Sequence, residues 1–404
     1  MCSRLASASR KALINRGPGV AIKHQETLSF RAQTARPATA VPRHRTVMNT
    51  TGVSVRDATT GAHLGARLAA VILTISAALG CLAPPSVAAQ AVLVDAAAFQ
   101  AGALPERWLT GGPRCMEMPE WQVHEYNPTL YILRQSGCTD FEKPFLYLLF
   151  GTDRALLLDT GSRQGNLAPT LQRTVHRWLT RMGRTSIPLL VLHTHGHGDH
   201  VAGDAGLLAL HDPVMPVTLI AADVAVEKEF LGISQWPEEV GRVDLGDRLL
   251  DVLSIPGHAD TSLAFYDRQT ALLFTGDSLY PGRLYVRDLP AFRASTERLV
   301  RFTEGKPVAH ILGNHIEQTR TPYQDYATGT IYQPNEHGLA LSRGALLELE
   351  VALLQLHDQP AKVALADFTI WPKPVEEAEK AAEQQAFEKT QHEQLGNQWD
   401  QPHF

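Results

Sequence analysis

Aromatic side chains are scarce in this sequence of 404 residues, in which Phe, Trp and Tyr together make up 7%. Glycine (30 residues) and proline (25 residues) occur at ordinary frequency, and hydrophobic residues make up 44%. This composition excludes a collagen-like chain, a low-complexity chain and a wholly disordered chain. It is typical of a globular protein with enough chain for a large core, built as one layered α/β domain or as two or three domains.

Acidic residues are almost absent from the N-terminal part of the chain. Residues 1–67 contain 11 Lys/Arg but only 2 Asp/Glu, whereas residues 68–404 contain 26 Lys/Arg and 40 Asp/Glu. The body of the protein is therefore acidic and does not attract nucleic-acid phosphates in general. We expect no nucleic-acid partner, and we expect the basic N-terminal part to have a separate role.

A long hydrophobic run is also missing. Residues 68–82 form the longest apolar run, and it is shorter than the roughly 20 residues that span a bilayer. A basic flank, a short apolar run and an Ala-Gln-Ala sequence at 89–91 are typical of a secretory signal peptide. We therefore predict a signal peptide over 48–91 and a periplasmic or secreted protein that meets the membrane only during export. A retained membrane anchor is the alternative.

Residues 1–47 are rich in Arg, Ser and Ala and contain one acidic residue, Glu26. This composition is also typical of an organellar transit peptide. A transit peptide would not need the second apolar segment at 68–82. We therefore favour a true start at Met48, so that residues 1–47 are a mis-assigned start or a basic, disordered extension.

Cysteine is scarce as well, with four residues in the whole chain. If the signal peptide is removed after Ala91, only Cys115 and Cys138 remain. In an exported protein these two can form a disulfide, and two free buried thiols are the alternative. The sequence leaves both possibilities open.

From residue 127 onward, short apolar runs alternate with helical patterns, which predicts an α/β domain over 92–372. We predict strands at 129–133, 145–150, 154–158, 187–192, 217–221, 249–255, 263–266, 271–274, 309–312 and 363–370. We predict helices at 166–181, 201–210, 292–303 and 339–356. The tail at 373–404 is polar on every side, which is typical of a solvated helix or of disorder.

Four of the 17 histidines fall within residues 193–200, which read HTHGHGDH. At the exit of a strand, alternate residues point the same way, so His195 and His197 can meet at one point. Asp199 and His200 follow where a helix begins and can face a second ion. Imidazole and carboxylate groups are ligands of zinc, iron or manganese rather than of copper(I) or an iron–sulfur cluster. A solvated His-rich loop is the alternative that this ordered spacing disfavours. We do not expect His193 to be a ligand.

The pattern H-x-H-x-D-H after a buried strand resembles the signature of the metallo-β-lactamase superfamily. Further short blocks follow the order of that family over about residues 127–319. They are Leu158-Asp159-Thr160-Gly161, Pro256-Gly257-His258, Thr275-Gly276-Asp277 and Gly313-Asn314-His315. The resemblance implies that residues 92–372 form a four-layer αββα sandwich, with a metal centre at one edge between two sheets.

The resemblance also implies seven metal ligands in two groups that share one carboxylate. The first group is His195, His197 and His258, the second is Asp199, His200 and His315, and Asp277 bridges the two. Asp159 would support the site from behind the ligands. The implied cofactors are two divalent metal ions, zinc first and manganese or iron as alternatives.

A centre of this kind restricts the reaction. Two cations held close together bind one water and lower its pKa toward about 7, and they polarise the substrate oxygen. Asp199 can hold the resulting hydroxide and is the expected catalytic residue. We therefore expect an exported metal-dependent hydrolase that cleaves an ester, lactone or thioester in a small-molecule substrate. The alternatives are a β-lactamase, a phosphodiesterase and a mononuclear iron persulfide dioxygenase. True β-lactamases of the superfamily lack the bridging residue that Asp277 is expected to supply.

Residues near the metal blocks bear on the substrate. Tyr280 lies where similar lactonases place a tyrosine that hydrogen-bonds the substrate carbonyl, and packing in the sheet edge is its alternative role. The Ile316-Glu317 pair replaces an aromatic-containing pattern associated with glutathione, which argues against a glutathione thioester. Further candidates for the pocket wall are Arg283, Tyr285, Trp236 and Tyr332. We interpret Glu336 and His337 as the start of a helix rather than as ligands.

Overall fold

The computed structural model describes residues 99–111, 118–162, 166–373 and 376–395. The predicted extension at 1–47, the predicted signal peptide at 48–91 and Cys115 lie outside these residues. Cys138 is disulfide-bonded. Within the described ranges, every helix is too short or too polar to span a bilayer.

One six-stranded sheet contains the strands in sequence order, from β1 to β6. These are β1 (Trp121–Asn127), β2 (Leu130–Gln135), β3 (Phe145–Phe150), β4 (Ala155–Leu158), β5 (Leu189–Leu192) and β6 (Val217–Leu219). The first four strands pair antiparallel, whereas β4, β5 and β6 pair in parallel. Parallel neighbours need a crossover connection. Helix α1 (Leu167–Met182) supplies it between β4 and β5, and α2 (Gly198–Val201) and α3 (Asp204–Leu208) supply it between β5 and β6.

A second six-stranded sheet has the order β13-β12-β10-β9-β8-β7. Its strands are β7 (Gly241–Asp244), β8 (Leu249–Ser254), β9 (Leu263–Asp267), β10 (Leu272–Gly276), β12 (His310–Gly313) and β13 (Ala340–Leu341). Helix α5 (Leu289–Thr303) connects the parallel strands β10 and β12. A small third sheet has the order β11-β15-β14, with β11 (Arg283–Val286), β14 (Val363–Ala364) and β15 (Thr369–Pro372).

Three hydrophobic clusters arrange these elements in layers. Leu156 of β4 points into the cluster between the two large sheets, together with Phe274 of β10. Because successive residues of a strand face opposite ways, Leu157 packs on the other side, against Leu171 of α1. The outer face of the second sheet packs against α5 and against α6 (Arg343–Gln355). The layers therefore follow the order helix, sheet, sheet, helix, and the mixed α/β class is as predicted.

Some elements differ from the prediction. The single helix expected at 201–210 is two short helices, because backbone bonds to the segment after β4 interrupt it. Thr160 N donates to His200 O at 2.7 Å, and Ala202 N donates to Gly161 O at 3.1 Å. The helix expected to begin at residue 339 begins at Arg343, since Ala340–Leu341 pair with β12 and the Ser342 side chain caps the helix.

Other differences concern short strands at edges. The strand expected at 363–370 is an antiparallel pair, β14 and β15. The strands β1, β7 and β11 and the helix α4 (Val224–Leu231) have no counterpart in the prediction. In β7 only Gly241 and Val243 are buried, so the strand gives little hydrophobic pattern to detect. The tail forms helix α7 (Glu377–Leu395).

Candidate dinuclear metal centre

All seven expected ligands come together in two adjoining groups, with the ligand atoms of each group within 4.8 Å of one another. The first group is His195, His197 and His258, and the second is Asp199, His200, Asp277 and His315. They follow the ends of strands β5, β8, β10 and β12. Because β8, β10 and β12 run in the same direction, their C-terminal ends lie at one edge of the second sheet. The expected ligands, which are far apart in the sequence, are thereby brought together at this edge.

The turn before His258 depends on a glycine. Gly257 has a φ of +137°, and a Cβ added there would lie 2.4 Å from Phe292 Cα. Only glycine tolerates both this backbone conformation and this close approach of α5. The Pro-Gly-His block is therefore a local requirement for delivering the His258 side chain to the centre.

The first group is a triangle of imidazole nitrogens. His195 Nε2 lies 3.2 Å from His258 Nε2, and His197 Nδ1 lies 3.0 Å from each of these atoms. Burial lowers the pKa of His258 to about 4 and holds the pKa of His195 well below its ordinary value. These rings are therefore neutral at pH 7. Neutral imidazole nitrogens that face one point are a donor set that zinc binds well.

The second group combines carboxylates with imidazoles. Asp199 Oδ2 lies 3.2 Å from His200 Nε2 and 3.3 Å from His315 Nε2. Burial alone would lower the pKa of both histidines, but the nearby Asp199 and Asp277 carboxylates raise it well above the ordinary value. The same negative charge attracts a divalent cation, and uptake of a cation would release the protons that these rings hold.

The Asp277 carboxylate joins the two groups. Its Oδ1 atom lies 3.3 Å from His315 Nε2 and 3.5 Å from His200 Nε2. Its Oδ2 atom lies 3.6 Å from His258 Nε2 and 3.8 Å from His195 Nε2. One oxygen therefore faces each group, which is the geometry that a bridging carboxylate requires.

The ring nitrogens that face away from the centre are held by acceptors. His258 Nδ1 lies 2.7 Å from Tyr285 O, and His315 Nδ1 lies 2.8 Å from Glu142 O. A backbone carbonyl only accepts hydrogen bonds, so each ring carries a proton on Nδ1. This fixes the orientation of each ring and leaves Nε2 as the atom that faces the centre.

Asp159 lies behind the second group and is fully buried. Its Oδ1 accepts a hydrogen bond from Thr194 N at 2.7 Å, and its Oδ2 accepts from Asn314 Nδ2 at 2.6 Å. Burial by itself would raise the pKa of Asp159. The charge of His200, its hydrogen bond at 3.0 Å and the nearby charge of His193 outweigh burial and lower it below its ordinary value. Asp159 is therefore an ionised anchor for the segments that carry the ligands.

His193 belongs to neither group of ligands. Its ring is buried, with Nε2 at 3.3 Å from Asp204 Oδ2 and Nδ1 at 3.7 Å from Asp159 Oδ1. Burial opposes protonation, but the interactions with the two carboxylates raise the pKa of His193 to about 9. The structure thus places it beside Asp159 and Asp204 and outside both ligand groups.

The residues of the centre fit divalent cations. His200 Nε2 and Asp277 Oδ1 are buried and have no hydrogen-bond partner, although they lie 3.5 Å apart within the second group. A buried polar atom without a partner costs about 1–3 kcal/mol. A cation in the second group would satisfy both atoms at once.

Tyr280 is packed rather than open to a substrate. It is 1% exposed, and its hydroxyl donates to the Arg283 carbonyl and lies 3.2 Å from Glu317 Oε2. Its ring centre lies 5.5 Å from that of His315. Arg283 is also engaged, because its Nη2 lies 2.6 Å from Glu317 Oε1. Of the other residues expected in the pocket wall, Trp236 packs against the cluster between the sheets.

The interpretation of Glu336 and His337 as a helix start is wrong. Glu336 is buried, and its Oε1 lies 2.7 Å from Arg134 Nη1, because a charge removed from water needs a partner. His337 Nε2 lies 3.3 Å from Asp367 Oδ1. Both residues and Tyr332 line a cavity of about 300 Å³ that none of the seven ligands lines.

Several supporting groups have no counterpart in the sequence prediction. Thr194 and Asn314 both bind Asp159, and their position beside ligand histidines is the one signal that could have suggested them. Glu142 lies near the second group, where its removal from water and the charge of Asp199 raise its pKa to about 8. The carbonyls of Glu142 and Tyr285 leave no signal, because every residue has a carbonyl.

Residues 140–315, which include all seven ligands, match the model of the metallo-beta-lactamase superfamily. The chain contains a metallo-β-lactamase superfamily domain. It is 25% identical to the acyl-coenzyme A thioesterase MBLAC2 of Homo sapiens over 233 residues, which cover 50% of this chain and 83% of that protein. It is 26% identical to the hydroxyacylglutathione hydrolase of Stenotrophomonas maltophilia (strain R551-3) over 252 residues, which cover 58% of this chain and 90% of that protein.

A solved structure of the DIM-1 metallo-beta-lactamase exposed to ceftazidime is also similar. It is 16% identical, and the match covers 59% of this chain and 99% of that one with a TM-score of 0.38. The superfamily predicted from the sequence is thereby confirmed by the family model and the curated relatives.

Proposed function

We propose that the protein is a metal-dependent hydrolase that binds two divalent cations and cleaves an acyl bond, with a thioester as the first candidate and an ester or lactone next. The observation that carries this proposal is the Asp277 carboxylate, whose two oxygens face the two ligand groups separately. Zinc is the expected metal because imidazoles predominate among the ligands, and manganese or iron are alternatives.

The bound cations would supply Lewis acidity and a water whose pKa is lowered toward neutrality. The chain itself holds and orients them. The neutral rings of the first group would bind one cation, and the carboxylate-rich second group would bind the other. Asp199 is the more open acid, with 20% of its side chain exposed against 8% for Asp277. Without bound cations its pKa is well below the ordinary value, because the charges of His200 and His315 outweigh burial. Bound cations would replace these charges, so Asp199 stays ionised and would orient the attacking water as a hydrogen-bond acceptor.

The choice of bond rests on the similar proteins. One is named as an acyl-coenzyme A thioesterase and the other as a hydroxyacylglutathione hydrolase, and both names describe removal of an acyl group from a thiol carrier. No Ser–His or Cys–His nucleophile is needed when water is the attacking group. Hydrolysis of a small acyl thioester is therefore the reaction that we place first.

We further propose that the mature protein works in the periplasm or is secreted. The apolar run at 68–82 and the Ala-Gln-Ala sequence at 89–91 support export. The disulfide at Cys138 also supports it, since disulfides persist in oxidising compartments. Sequencing the N-terminus of the mature protein tests this, with Val92 as the expected first residue. A start upstream of Ala70 would contradict export.

The catalytic proposal is tested by assaying the chelated and the metal-supplied protein on acyl-coenzyme A, acyl-glutathione, a lactone, a phosphodiester and a penicillin. We expect thioester hydrolysis that disappears on chelation and returns with Zn²⁺ or Mn²⁺. His258→Gln should abolish it, and His310→Gln, outside both ligand groups, is the matched control. Cleavage of the phosphodiester or the penicillin alone, or oxygen consumption with iron and no hydrolysis, would replace this proposal by one of its alternatives.

A further inference from the structure

Helix α7 contacts the rest of the protein through one face. The contacting side chains are Glu383, Phe387, Gln391 and Gln394, which are spaced by four, four and three residues. Residues at this spacing lie on the same side of an α-helix. Gln391 is only 1% exposed, whereas 74% of the Lys389 side chain is exposed. The tail is therefore docked along one line and open to solvent elsewhere.

The first half of this face is attached to β15, the neighbour of the strand that supports His258. Glu383 Oε1 accepts hydrogen bonds from Trp371 Nε1 at 3.1 Å and from Lys362 Nζ at 3.2 Å. Trp371 lies on β15, directly opposite Tyr285 on the parallel strand β11. The carbonyl of Tyr285 is the acceptor that holds His258 Nδ1.

The second half is attached to a different part of the protein, the Phe141 segment and the loop that contains Gly329 and Ile331. The Phe387 ring packs edge-on against Phe141, with 4.8 Å between ring centres. Gln391 Nε2 donates to Gly329 O, and Gln394 Oε1 accepts from Ile331 N at 2.7 Å. Gly329 has a φ of +83°, and a Cβ there would lie 2.7 Å from Phe387 Cδ2. The helix and the loop are thus in close contact.

The contacts of the second half of this face extend to the segment that holds His315. Phe141 precedes Glu142, whose carbonyl holds His315 Nδ1. The Lys143 ammonium donates to Phe141 O at 2.5 Å and to Thr330 O at 2.7 Å. It therefore binds the segment that supports His315 to the loop on which α7 docks.

We propose that α7 is a clamp that positions His258 and His315, one ligand of each metal group, and thereby sets the separation of the two groups. Glu383 and Phe387 are its positioning residues. Phe387 contacts the segment that holds His315, and Glu383 reaches the strand that holds His258 through Trp371. The clamp rests on the dinuclear centre proposed above. It gives the polar tail a role in metal binding that its sequence pattern does not indicate.

The test is zinc affinity, measured by competition with a chromophoric chelator on the full-length protein. Phe387→Ala and Glu383→Ala should each weaken zinc binding by about 10–100-fold, which is the usual effect of losing a group that supports a ligand. Lys389→Ala, on the open face of the same helix, should bind zinc as the wild type does. Phe387→Leu should recover most of the affinity, since it keeps an apolar side chain against Phe141.

Thermal unfolding of the metal-free variants separates positioning from plain stability. If Phe387→Ala and Glu383→Ala lower the melting temperature but bind zinc as tightly as the wild type, α7 is only a structural element and the clamp is refuted. If Phe387→Ala does not fold, the Glu383→Ala result decides. If the wild type binds two zinc ions but hydrolyses no acyl substrate, the proposed function is refuted. The zinc affinities of the variants then still decide whether α7 is a clamp. A wild type that binds no zinc would refute both.

Discussion

The Nδ1 atom of His200 lies 3.0 Å from the Oδ2 atom of Asp159. The carboxylate is ionised and accepts this hydrogen bond, so the proton stays on Nδ1 and Nε2 faces the second metal group. Asp159 also accepts hydrogen bonds from Thr194 and Asn314. One buried anion thus orients a ligand and fixes two of the segments that carry the other ligands.

Replacing this anion tests its role directly. Asp159→Asn keeps the shape of the side chain but removes the charge and one acceptor atom. We expect metal affinity or activity to fall by about 10–100-fold, as is usual when a group behind a metal ligand is changed. Metal titration checks this, with Asp212→Asn as the control because Asp212 binds His176 far from the centre. Unchanged affinity in Asp159→Asn would show that His200 is oriented by other contacts.

Two histidines separated by one residue should behave differently. His195 faces His197 and His258, whereas His193 faces Asp204 and Asp159. We expect His195→Asn to lose metal from the first group. His193→Asn should keep the metal content of the wild type, and it should lower the free energy of unfolding by about 1–3 kcal/mol because the buried Asp159 carboxylate loses a neighbouring charge. Elemental analysis and denaturant unfolding of both variants check this, and metal loss in His193→Asn would contradict it.

The residues that meet at the candidate metal centre could be predicted from the sequence because their chemistry and order are specific. A compact signature contains His195, His197, Asp199 and His200. The later short blocks are informative because they follow this signature in the order of the family. The sequence could not predict that the two oxygens of Asp277 face different ligand groups, because this depends on how β10 and the segment after β5 approach each other in the folded protein. Backbone carbonyls such as that of Tyr285 carry no sequence signal at all.

The fold was predictable where hydrophobic periodicity was strong. The segments 145–150 and 263–266 gave nearly correct strands, since every residue there is buried. Edge strands such as β1, in which buried, half-buried and exposed residues mix, gave little hydrophobic pattern. The docking face of α7 was missed because Glu383, Gln391 and Gln394 bind through hydrogen bonds rather than through apolar contact.

Glu227 should make stability depend on pH. It is 2% exposed, its Oε2 has no hydrogen-bond partner, and burial raises its pKa from 4.5 to about 8. The folded protein therefore keeps this proton up to about pH 8, whereas the unfolded chain loses it near pH 4.5. The contribution of Glu227 to the free energy of unfolding is thus greatest below pH 4.5 and falls as the pH rises to about 8.

Glu227→Gln stays uncharged and should not show this fall. We expect it to be more stable than the wild type by up to about 5 kcal/mol at pH 8, because each unit of the pKa shift corresponds to about 1.4 kcal/mol, and the difference should shrink toward pH 4.5. Denaturant unfolding over this pH range measures the effect. Glu229→Gln, at an exposed position of the same helix, should follow the wild type. A constant difference between Glu227→Gln and the wild type at all pH values would contradict the shifted pKa.

Breaking the buried ion pair of Arg134 and Glu336 should destabilise the protein strongly. Their side chains are 0% and 8% exposed, and the charged atoms lie 2.7 Å apart. Glu336→Ala leaves the Arg134 charge buried without its partner, so we expect a loss of about 3–5 kcal/mol in the free energy of unfolding. Glu393→Ala removes an exposed pair with Lys389 at 3.8 Å and should cost less than about 1 kcal/mol. Equal stabilities of the two variants would contradict a buried pair.

The metal content of the purified protein, measured beside that of Asp277→Ala, tests the dinuclear centre most directly. The geometry predicts two divalent ions per chain in the wild type and fewer than two in the variant, because Asp277→Ala removes the carboxylate whose two oxygens face the two groups. A folded wild-type protein that holds no divalent ion, or a variant that still holds two, would contradict the account.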